Sequence, residues 1–487
     1  MNPLTLNAVF YETNATMSEV AGNSYENADD VVTVGTYVII KKQSYSKLHK
    51  VSENGTLMLG KDQVEMREIV GKPFWSTFEM VPSRNGGRAF TLKLAEQTES
   101  WDDLKGDLSG HDNRSITDDG TSQKLSKEEI LQLQETGKTG KEIIGSLIEN
   151  SKSFAAKTEY SQEKYIKKKE RKYFRFLTVC RPTVVSLHEV HFRLNPDKIG
   201  GLRMDALAQI LSYSDVQSDG LYMLYDSGSQ GLPAAAMLDR IGTNTNGHLI
   251  NLHPGNIPQT AIIQAMNFPG ELKDRHVTVN IYSFLRLHYQ GESSVLDSIA
   301  ASKNAVDNKV TKSKDSKEAT EETNDKINSN LVSNLGTVDF KLEDKAGADI
   351  ALIASEECAN ALKRKLDESA DAVPIKKPKW FFETQRAVDL LNASKARGLT
   401  IVAKEHPLNI VNALLPFLGA SRPFVIFHMH REPLQETYMG LKQKRGVINL
   451  RLFTNFLRSY QVLPDRTHPN ILTSDTGGYI LTGYLVE

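Results

Sequence analysis

A buried strand, a glycine-bearing loop and a helix follow one another near the middle of the chain, and this unit constrains the fold most strongly. Residues 221–226 read LYMLYD, the loop SGSQG follows, and the alanine-rich stretch LPAAAMLDRI at 232–241 has the composition of a helix. Strand and helix patterns alternate around this unit over residues 198–487, with one interruption. Alternation of this kind predicts a Rossmann-type domain, with a parallel sheet and right-handed crossovers.

The loop resembles the cofactor loop of S-adenosylmethionine-dependent enzymes, which reads roughly acid-x-Gly-x-Gly-x-Gly. Asp226, Gly228 and a shifted Gly231 fit that pattern, whereas Gln230 replaces the middle glycine. Such loops need glycine because the backbone must approach the ligand closely and adopt positive φ at some positions. The sequence therefore predicts a degenerate loop.

The acidic residue that a nucleoside ribose requires is also missing. A carboxylate is expected about 20 residues after such a loop, yet no Asp or Glu occurs between Ile241 and Gly270, and the next predicted strand ends on His253. A Pro-Pro-aromatic tetrapeptide, which clamps an amino group undergoing methylation, is absent as well. We therefore expect no bound cofactor and no catalytic residue. The alternative is an active methyltransferase that uses Asn251 or His253 on the ribose.

The rest of the chain divides by composition and pattern, and the predicted fold class is α/β plus β. Residues 1–29 are polar and are predicted to be a disordered tail. Short β-branched segments predict a small β-barrel over 30–110, and helical patterns predict a connector over 111–197. A low-complexity insert of about 291–378 interrupts the α/β domain, because much of it lacks the apolar residues that would offset the entropy of ordering.

Length, charge and cysteine content restrict the class of protein. A chain of 487 residues is expected to form two or three domains, and its net charge of −1 means that contacts with an anionic partner must come from local patches. The two cysteines, Cys180 and Cys358, favour a reducing compartment. Neither a signal peptide nor an apolar run of the ~18 residues that a membrane span needs is present. We expect a soluble intracellular protein without membrane contact.

A basic cluster lies in the connector. Residues 164–175, KYIKKKERKYFR, contain seven Lys or Arg residues and one Glu, interleaved with aromatic residues. Lysine and arginine supply phosphate contacts and release counterions, and aromatic rings can stack on bases. The cluster therefore predicts contact with RNA. The alternative is a solvated helix face whose aromatic residues pack into the core.

A second pair of basic groups suggests nuclear import. Three basic residues in KRK at 363–365 are separated by ten residues from the lysines of KKPK at 376–379. This spacing suits an import receptor that reads an extended peptide in two pockets. The candidate residues are Lys363, Arg364, Lys365, Lys376, Lys377 and Lys379. The alternative is a solvated linker.

Two neighbouring histidines do not predict a metal site. His428 and His430 in FHMHRE could share one face of a strand, but the sequence offers no third ligand beside them. A core or edge pair of histidines is the favoured interpretation, and we expect no metal.

Several longer stretches together resemble one family, the non-catalytic subunit of the eukaryotic tRNA (adenine-58-N1)-methyltransferase. The resemblance extends over most of the chain from about residue 30, excluding the insert. The stretches that carry it are DNRSITDDGTSQKLS (112–126), KTEYSQEKYIKKKERKY (157–173), GLRMDALAQIL (201–211), LQETYMGLK (434–442), QVLPDRTHP (461–469) and TGGYILTGY (476–484).

The resemblance implies a division of labour between two subunits. It implies a β-barrel-like amino-terminal domain, a Rossmann-type methyltransferase domain, and assembly with a catalytic sister subunit into a two-plus-two heterotetramer. The sister subunit would bind S-adenosylmethionine and transfer the methyl group, while this chain helps to hold the tRNA. A further alternative is an RNA-binding scaffold without any link to methylation.

Carried onto this sequence, the resemblance places RNA contacts in the connector and near two other motifs. The connector candidates are Lys164, Lys167, Lys168, Lys169, Lys172 and Arg175. Arg203, Arg466 and His468 are further candidates, and for these three a structural role is an equal alternative.

Overall fold

The computed structural model describes the chain in stretches separated by gaps. The described residues are 30–43, 45–83, 88–95, 122–135, 138, 140–173, 175–296, 377–463, 466–470 and 477–486. The predicted tail at 1–29 and residues 297–376 of the predicted insert lie outside them.

Seven short strands form a barrel-like sheet in the amino-terminal part of the described chain. They are β1 (Tyr37–Lys42), β2 (Tyr45–Lys50), β3 (Thr56–Leu59), β4 (Asp62–Glu65), β5 (Thr77–Pro82), β6 (Ala89–Leu94) and β7 (Phe176–Cys180). Their order is β2-β1-β7-β5-β6-β4-β3, and neighbouring strands are antiparallel except β4 and β6. Alternate side chains such as Val38, Ile40, Phe78 and Met80 pack into one apolar core, which is the pattern of a half-buried antiparallel sheet.

Strand β7 differs from the predicted domain boundaries. It lies within the range 111–197 that the sequence predicts to be a helical connector, yet it pairs with β1 and with β5 near the centre of the barrel-like sheet. Four of its five residues are buried, so the sheet requires this segment as part of its core. The barrel-like domain therefore includes a strand from beyond the connector helices.

Three helices precede β7, as the sequence predicts for this region. They are α1 (Lys127–Glu135), α2 (Gly140–Glu149) and α3 (Glu159–Tyr173). The predicted capping box at the start of α1 is confirmed: the Ser126 N–H donates to Glu129 Oε2 at 2.7 Å, and the Glu129 N–H donates to Ser126 Oγ at 3.2 Å. These two bonds satisfy backbone donors that a helix start otherwise leaves free.

A second seven-stranded sheet forms the Rossmann-like α/β part. Its strands are β8 (Leu221–Asp226), β9 (His248–His253), β10 (His276–Asn280), β11 (Gly398–Val402), β12 (Arg422–His428), β13 (Val447–Phe453) and β16 (Tyr479–Leu485). The order is β10-β9-β8-β11-β12-β16-β13, and β16 runs antiparallel to both of its neighbours. Every residue of β8 and β11 is buried, as expected for strands covered on both faces.

Further helices occur along this part of the chain, and a small hairpin follows β13. The helices are α4 (Val184–Leu194), α5 (Met204–Tyr213), α6 (Leu232–Ile241), α7 (Ala261–Ala265), α8 (Gly270–Asp274), α9 (281–296), α10 (Lys379–Ala393), α11 (Pro407–Leu414) and α12 (Arg431–Lys442). The hairpin pairs β14 (Tyr460–Leu463) with β15 (Arg466–Pro469). Since the chain leaves β8 toward β9 on one side and returns as β11 on the other, the strand order reverses between β8 and β11, where ligands bind in open α/β sheets.

The chain forms two compact units. Residues 281–389, of which 281–296 and 377–389 are described, make up the smaller unit, and the remaining described residues belong to the larger one. Residues 291–296, inside the predicted insert, are helical. No helix within the described stretches is long and apolar enough to cross a membrane.

Candidate functional site: a degenerate cofactor loop and a basic helix

Asp226, the acid of the loop, is engaged by the loop itself. Its carboxylate accepts hydrogen bonds from the backbone N–H groups of Gly228 and Ser229, both at 3.1 Å, and from Ser229 Oγ at 2.5 Å. The residue is buried, and burial raises the pKa of its carboxyl group, although these hydrogen bonds act in the opposite direction. The acid therefore fixes the loop conformation and has little exposed surface for a ligand.

Gln230 occupies a backbone conformation that favours glycine. Its φ is +59°, and that of Gly231 is +78°. The Gln230 N–H donates to Gln259 Oε1 at 3.1 Å, and its carbonyl accepts from the Ile262 N–H at 3.1 Å. These bonds fasten the loop to the start of α7 and hold a glutamine in the left-handed region. Gln230 therefore replaces the middle glycine of the loop pattern at a position whose backbone conformation favours glycine.

Lys404, at the end of β11, lies across the loop. A Cβ atom placed on Gly228 would collide with the Lys404 side chain, and the Lys404 N–H donates to Ser227 Oγ at 2.8 Å. On the other side of the loop, a Cβ on Gly201 would lie 2.8 Å from Met429 Sδ. The side chains of Lys404 and Met429 therefore lie against Gly228 and Gly201.

A cavity of about 370 Å³ remains beside these residues. It lies at the carboxyl ends of β8, β11 and β12. Its walls are formed by residues 197, 200–201, 228, 402–404 and 427–430.

Neither residue considered for the ribose is well placed. The Nδ1–H of His253 donates to the Gly255 carbonyl at 2.8 Å, and burial lowers the pKa of its imidazole. Such a ring is neutral and supplies no negative charge. Asn251 is 2% exposed, and its Oδ1 is enclosed without a hydrogen-bond partner in the described part of the chain. These observations disfavour the interpretation of the chain as an active methyltransferase.

His428 and His430 contact each other rather than forming a cluster of ligands. The His430 N–H donates to His428 Nδ1 at 3.0 Å, the His430 carbonyl lies 3.1 Å from the same nitrogen, and His428 Nε2 lies 3.3 Å from the Lys404 carbonyl. Within the described ranges no group of three or more His, Cys, Asp or Glu residues is arranged to hold a metal ion.

Helix α3 presents most of the predicted RNA-binding lysines to solvent. Lys164, Lys167, Lys168 and Lys172 are exposed, and Lys169 is half-buried. The opposite face is apolar, as shown by the buried residues Ile166 and Tyr173. The helix therefore has a cationic face and a packed face. Arg175, which follows the helix, is half-buried, and burial lowers the pKa of its guanidinium.

The three further RNA candidates differ in position. Arg203 is buried, and its guanidinium donates to both carboxylate oxygens of Asp205 and to the Asn455 carbonyl. This geometry favours the structural alternative for Arg203. His468 lies in β15 with its Nδ1 2.9 Å from the Pro469 carbonyl. Arg466 begins the same strand, but its side chain lies outside the described part.

The import candidates are described only at their carboxyl end. Lys363, Arg364, Lys365 and Lys376 lie outside the described residues. Lys377 forms an ion pair with Glu292, and its Nζ lies 5.1 Å from the centroid of the Phe381 ring. Lys379 is the first residue of α10. The second basic group is therefore partly helical, whereas an import receptor reads an extended peptide.

The contact of Lys404 with the loop was not predicted from the sequence, nor was Lys157, whose ammonium lies 5.2 Å from the centroid of the Tyr165 ring in the basic run. Lys404 reaches the loop because β8 and β11 are neighbours in the sheet, a pairing that no local pattern specifies. Lys157 lies in a turn before the basic run. In the sequence, Lys157 is an isolated lysine one or two helical turns from the cluster. This arrangement is too common on protein surfaces to predict a site.

Comparison with known proteins gives a consistent set of relatives. A family model described as the Gcd10p family matches residues 31–329. Over 465 residues the chain is 31% identical to a Mus musculus protein named tRNA (adenine(58)-N(1))-methyltransferase non-catalytic subunit TRM6, and the match covers 94% of this chain and 89% of the relative. A Dictyostelium discoideum protein of the same name is 27% identical over 464 residues, with 94% and 80% covered.

Solved structures of methyltransferases are similar at low identity. A SAM-dependent O-methyltransferase from Thermotoga maritima has a TM-score of 0.44 and 9% identity, with 96% of this chain and 98% of that chain covered. The tRNA (m1A58) methyltransferase TrmI from Aquifex aeolicus has a TM-score of 0.39 and 10% identity, with 94% and 99% covered. The strand order within the chain itself carries the fold assignment.

Proposed function

The chain belongs to the Gcd10p family, and from that premise we propose that it is the non-catalytic subunit of a tRNA (adenine-58-N1)-methyltransferase. A catalytic partner binds S-adenosylmethionine and transfers the methyl group, while this chain contacts tRNA and scaffolds the partner. The proposal includes two copies of each subunit, a nuclear location and a closed small barrel formed by the amino-terminal sheet.

The state of the cofactor loop is the observation that carries the proposal. Asp226 is bonded to its own loop, Gln230 stands in a glycine conformation, and the Lys404 side chain lies on Gly228. The ammonium of Lys404 adds a positive charge beside the loop, which disfavours a cationic sulfonium there. Methyl transfer therefore requires a donor held by another chain.

An apolar surface supports assembly with that partner. Strand β13 is the last strand of its sheet and offers an unpaired backbone edge within the described chain, which is a ready template for another chain. Large apolar side chains are exposed on β13 and on the segment and hairpin that follow it: Ile448 (49%), Phe456 (86%), Leu457 (51%), Tyr460 (56%) and Val462 (72%). Clustered exposure of this kind marks a protein interface.

The cationic face of α3 supports contact with tRNA. Its exposed lysines lie on one side of a helix whose other side is packed, so they are available to phosphates. Such contacts position a nucleic acid without reading its sequence. The chain thereby contributes binding and orientation of the substrate, which lowers the entropy cost of the reaction at the partner's site.

The nuclear location rests on the two basic groups of the predicted import signal. Replacing Lys363, Arg364 and Lys365 by alanine is expected to shift the protein toward the cytoplasm in a localisation assay, because the first group of the signal is removed. Unchanged nuclear localisation in cells that lack the partner would contradict this part of the proposal.

Methyl transfer to a tRNA transcript tests the proposed function directly. Transfer is measured with the partner alone, with this chain alone and with both, and we expect full activity only with both. The variant Lys404→Ala is expected to leave the rate of the complete complex unchanged, because the cavity beside it does no chemistry. Transfer by this chain alone would overturn the proposal.

A further inference from the structure

Two lysine ammoniums lie against one tyrosine ring on the basic helix. Lys157 Nζ and Lys169 Nζ are each 5.2 Å from the centroid of the Tyr165 ring, which is within the range of a cation–π interaction. Phe154 packs edge-on against the same ring, with the centroids 5.5 Å apart. The tyrosine is half-buried, so its ring has a fixed position beneath the two cations.

The backbone of Lys157 is held by a buried glutamine. Gln162, which is 4% exposed, donates from Nε2 to the carbonyls of Phe154 and Lys157, both at 3.1 Å. The Lys157 N–H also donates to the Phe154 carbonyl at 3.1 Å. Since Gln162 belongs to α3, these bonds hold the turn at 154–157 against the helix. A lysine from outside the helix thus joins the lysines on it.

Lys157 and Lys169 lie over the Tyr165 ring, and Lys172 Nζ lies 5.1 Å from the centroid of the Tyr173 ring. The pKa of Lys169 lies below its ordinary value because the residue is partly buried and because the ammoniums of Lys172, Lys168 and Lys157 are near. In the described part of the chain none of these four lysines forms an ion pair with Asp or Glu. Like charges held together raise the free energy of the folded state, and a bound anion would offset this cost.

The other cations of the cluster are in a different environment. Lys167 Nζ forms an ion pair with Glu163 Oε1 at 2.7 Å, one helical turn away. Arg175 lies near the carboxylates of Glu79 and Asp62 on the barrel-like sheet. These two residues already have acidic neighbours, whereas Lys157 and Lys169 lie over the Tyr165 ring and form no ion pair with Asp or Glu within the described residues.

We propose that Lys157, Lys168, Lys169 and Lys172 form a binding site for backbone phosphates of tRNA. In this site the Tyr165 ring contacts the ammoniums of Lys157 and Lys169, and Gln162 positions Lys157. The inference deepens the proposed function and rests on it, because it names the part of the chain that holds the substrate. Closely spaced phosphates match closely spaced ammoniums, and each contact releases counterions from the RNA.

Salt-dependent binding of a tRNA transcript to the assembled complex tests this site. The wild type is compared with the double variant Lys157→Gln, Lys169→Gln and with the control Lys442→Gln, whose exposed lysine also lies over a tyrosine ring, that of Tyr438, but outside the basic cluster. We expect the double variant to lower the slope of log Kd against log salt concentration by about 1.5 and to weaken binding at 0.15 M salt on the order of tenfold. The control is expected to change the affinity less than about twofold.

Two further variants separate charge from structure. Lys157→Arg, Lys169→Arg keeps both charges and is expected to bind close to wild type. Gln162→Leu, which removes the amide that positions Lys157, is expected to weaken binding about threefold without changing the salt slope of the other contacts. A circular dichroism melt of each variant establishes that the helix is intact.

The outcomes of these measurements distinguish failure of the proposed phosphate site from failure of the proposed function. Equal losses in the double variant and the Lys442 control overturn the proposed site, because any exposed lysine would then have the same effect. Unchanged tRNA affinity in both also overturns the site, whereas the proposed RNA contact of α3 then rests on its other lysines. Loss of subunit assembly with unchanged tRNA affinity would assign the lysines to an acidic protein surface and also overturns the site.

Lysine acylation of the wild-type complex gives the same test without a variant. Bound tRNA is expected to protect Lys157 and Lys169 several-fold more than Lys442 from an amine-reactive reagent. Equal protection of the three residues, or none, contradicts the proposed site.

Discussion

At the scale of single residues, Arg203 connects two distant parts of the α/β domain. Its guanidinium binds Asp205 in a bidentate manner, at 2.5 and 2.7 Å, and also donates to the Asn455 carbonyl at 2.9 Å. Burial alone would raise the pKa of Asp205, but the hydrogen bond and charge of Arg203 outweigh it and hold that pKa below its ordinary value. A planar fork with several donors is needed for this geometry.

Arg203→Lys is therefore expected to lower the free energy of unfolding by about 2 kcal/mol, since the shorter lysine lacks the planar fork of donors and leaves some of these acceptors buried and unpaired. The matched control is Arg193→Lys, because Arg193 forms an exposed ion pair with Glu189 and should cost less than about 0.5 kcal/mol. Urea unfolding of both variants measures the difference. Equal stability of the two would contradict the structural role.

His276 makes stability depend on pH. Its ring is half-buried as a whole, but Nε2 is enclosed and has no hydrogen-bond partner among the described residues, and burial lowers its pKa from 6.5 to about 4. Between these two values the unfolded chain binds a proton that the folded chain does not, so acidification destabilises the fold.

The loss attributable to His276 is expected to be about 2 kcal/mol between pH 7.5 and pH 5. Denaturant unfolding at the two pH values measures it, and His276→Gln should remove this part of the pH dependence. If wild type and variant lose the same free energy on acidification, the histidine is not the cause.

The residues of the cofactor site were predictable to different degrees. Asp226 and Gln230 lie within one short motif, so their pattern could be compared directly with an acid-x-Gly-x-Gly-x-Gly loop. The contact of Lys404 with Gly228 depends instead on the pairing of β8 with β11. Arg203 illustrates a different difficulty, because the sequence around it does not reveal whether its guanidinium is buried in an ion pair or exposed to a phosphate.

At the scale of elements, one asparagine links the loop between α7 and α8 to strand β1. Asn267 Oδ1 accepts from the Tyr37 N–H at 2.9 Å, and its Nδ2 donates to the Tyr37 carbonyl at 2.7 Å. The side-chain amide thus pairs with the backbone as a neighbouring strand would. Asn267 has φ of +53°, a conformation that asparagine and glycine tolerate better than most residues.

Asn267→Gly is expected to lower the free energy of unfolding by about 1–2 kcal/mol, because it removes both hydrogen bonds while keeping the backbone conformation. Asn244→Gly is the control, since Asn244 also has a positive φ, of 57°, and its change should be close to neutral. Thermal or urea unfolding distinguishes the two. A neutral effect at both positions would show that the link contributes nothing to stability.

Strand β7 shows why the element boundaries were harder to predict than the element types. Its segment FLTVC is short and apolar, and its partners in β1 and β5 come from much earlier in the chain. Local patterns indicate that a segment can form a strand, but strand pairing across a long separation depends on the packing of the whole sheet. The alternating pattern of the α/β part was easier to interpret, because neighbouring units there follow one another along the chain.

At the scale of the whole molecule, the exposed apolar surface around β13 and β14 should determine assembly. The double variant Phe456→Glu, Val462→Glu is expected to reduce co-purification with the catalytic subunit at least tenfold, since two charges would be buried in the interface. Ile257→Glu is the control, because Ile257 is 77% exposed on a different loop and lies outside this surface. Equal recovery of partner by the double variant and the wild type would place the interface elsewhere.

Calorimetric titration of S-adenosylmethionine tests the central claim most directly. The donor is titrated into the purified chain alone and into its complex with the catalytic subunit. The proposed division of labour predicts no heat of binding for the chain alone and one donor site per catalytic subunit in the complex. A micromolar site on the chain alone would contradict it, because the loop at 226–231 would then still hold a cofactor and the protein would be an enzyme.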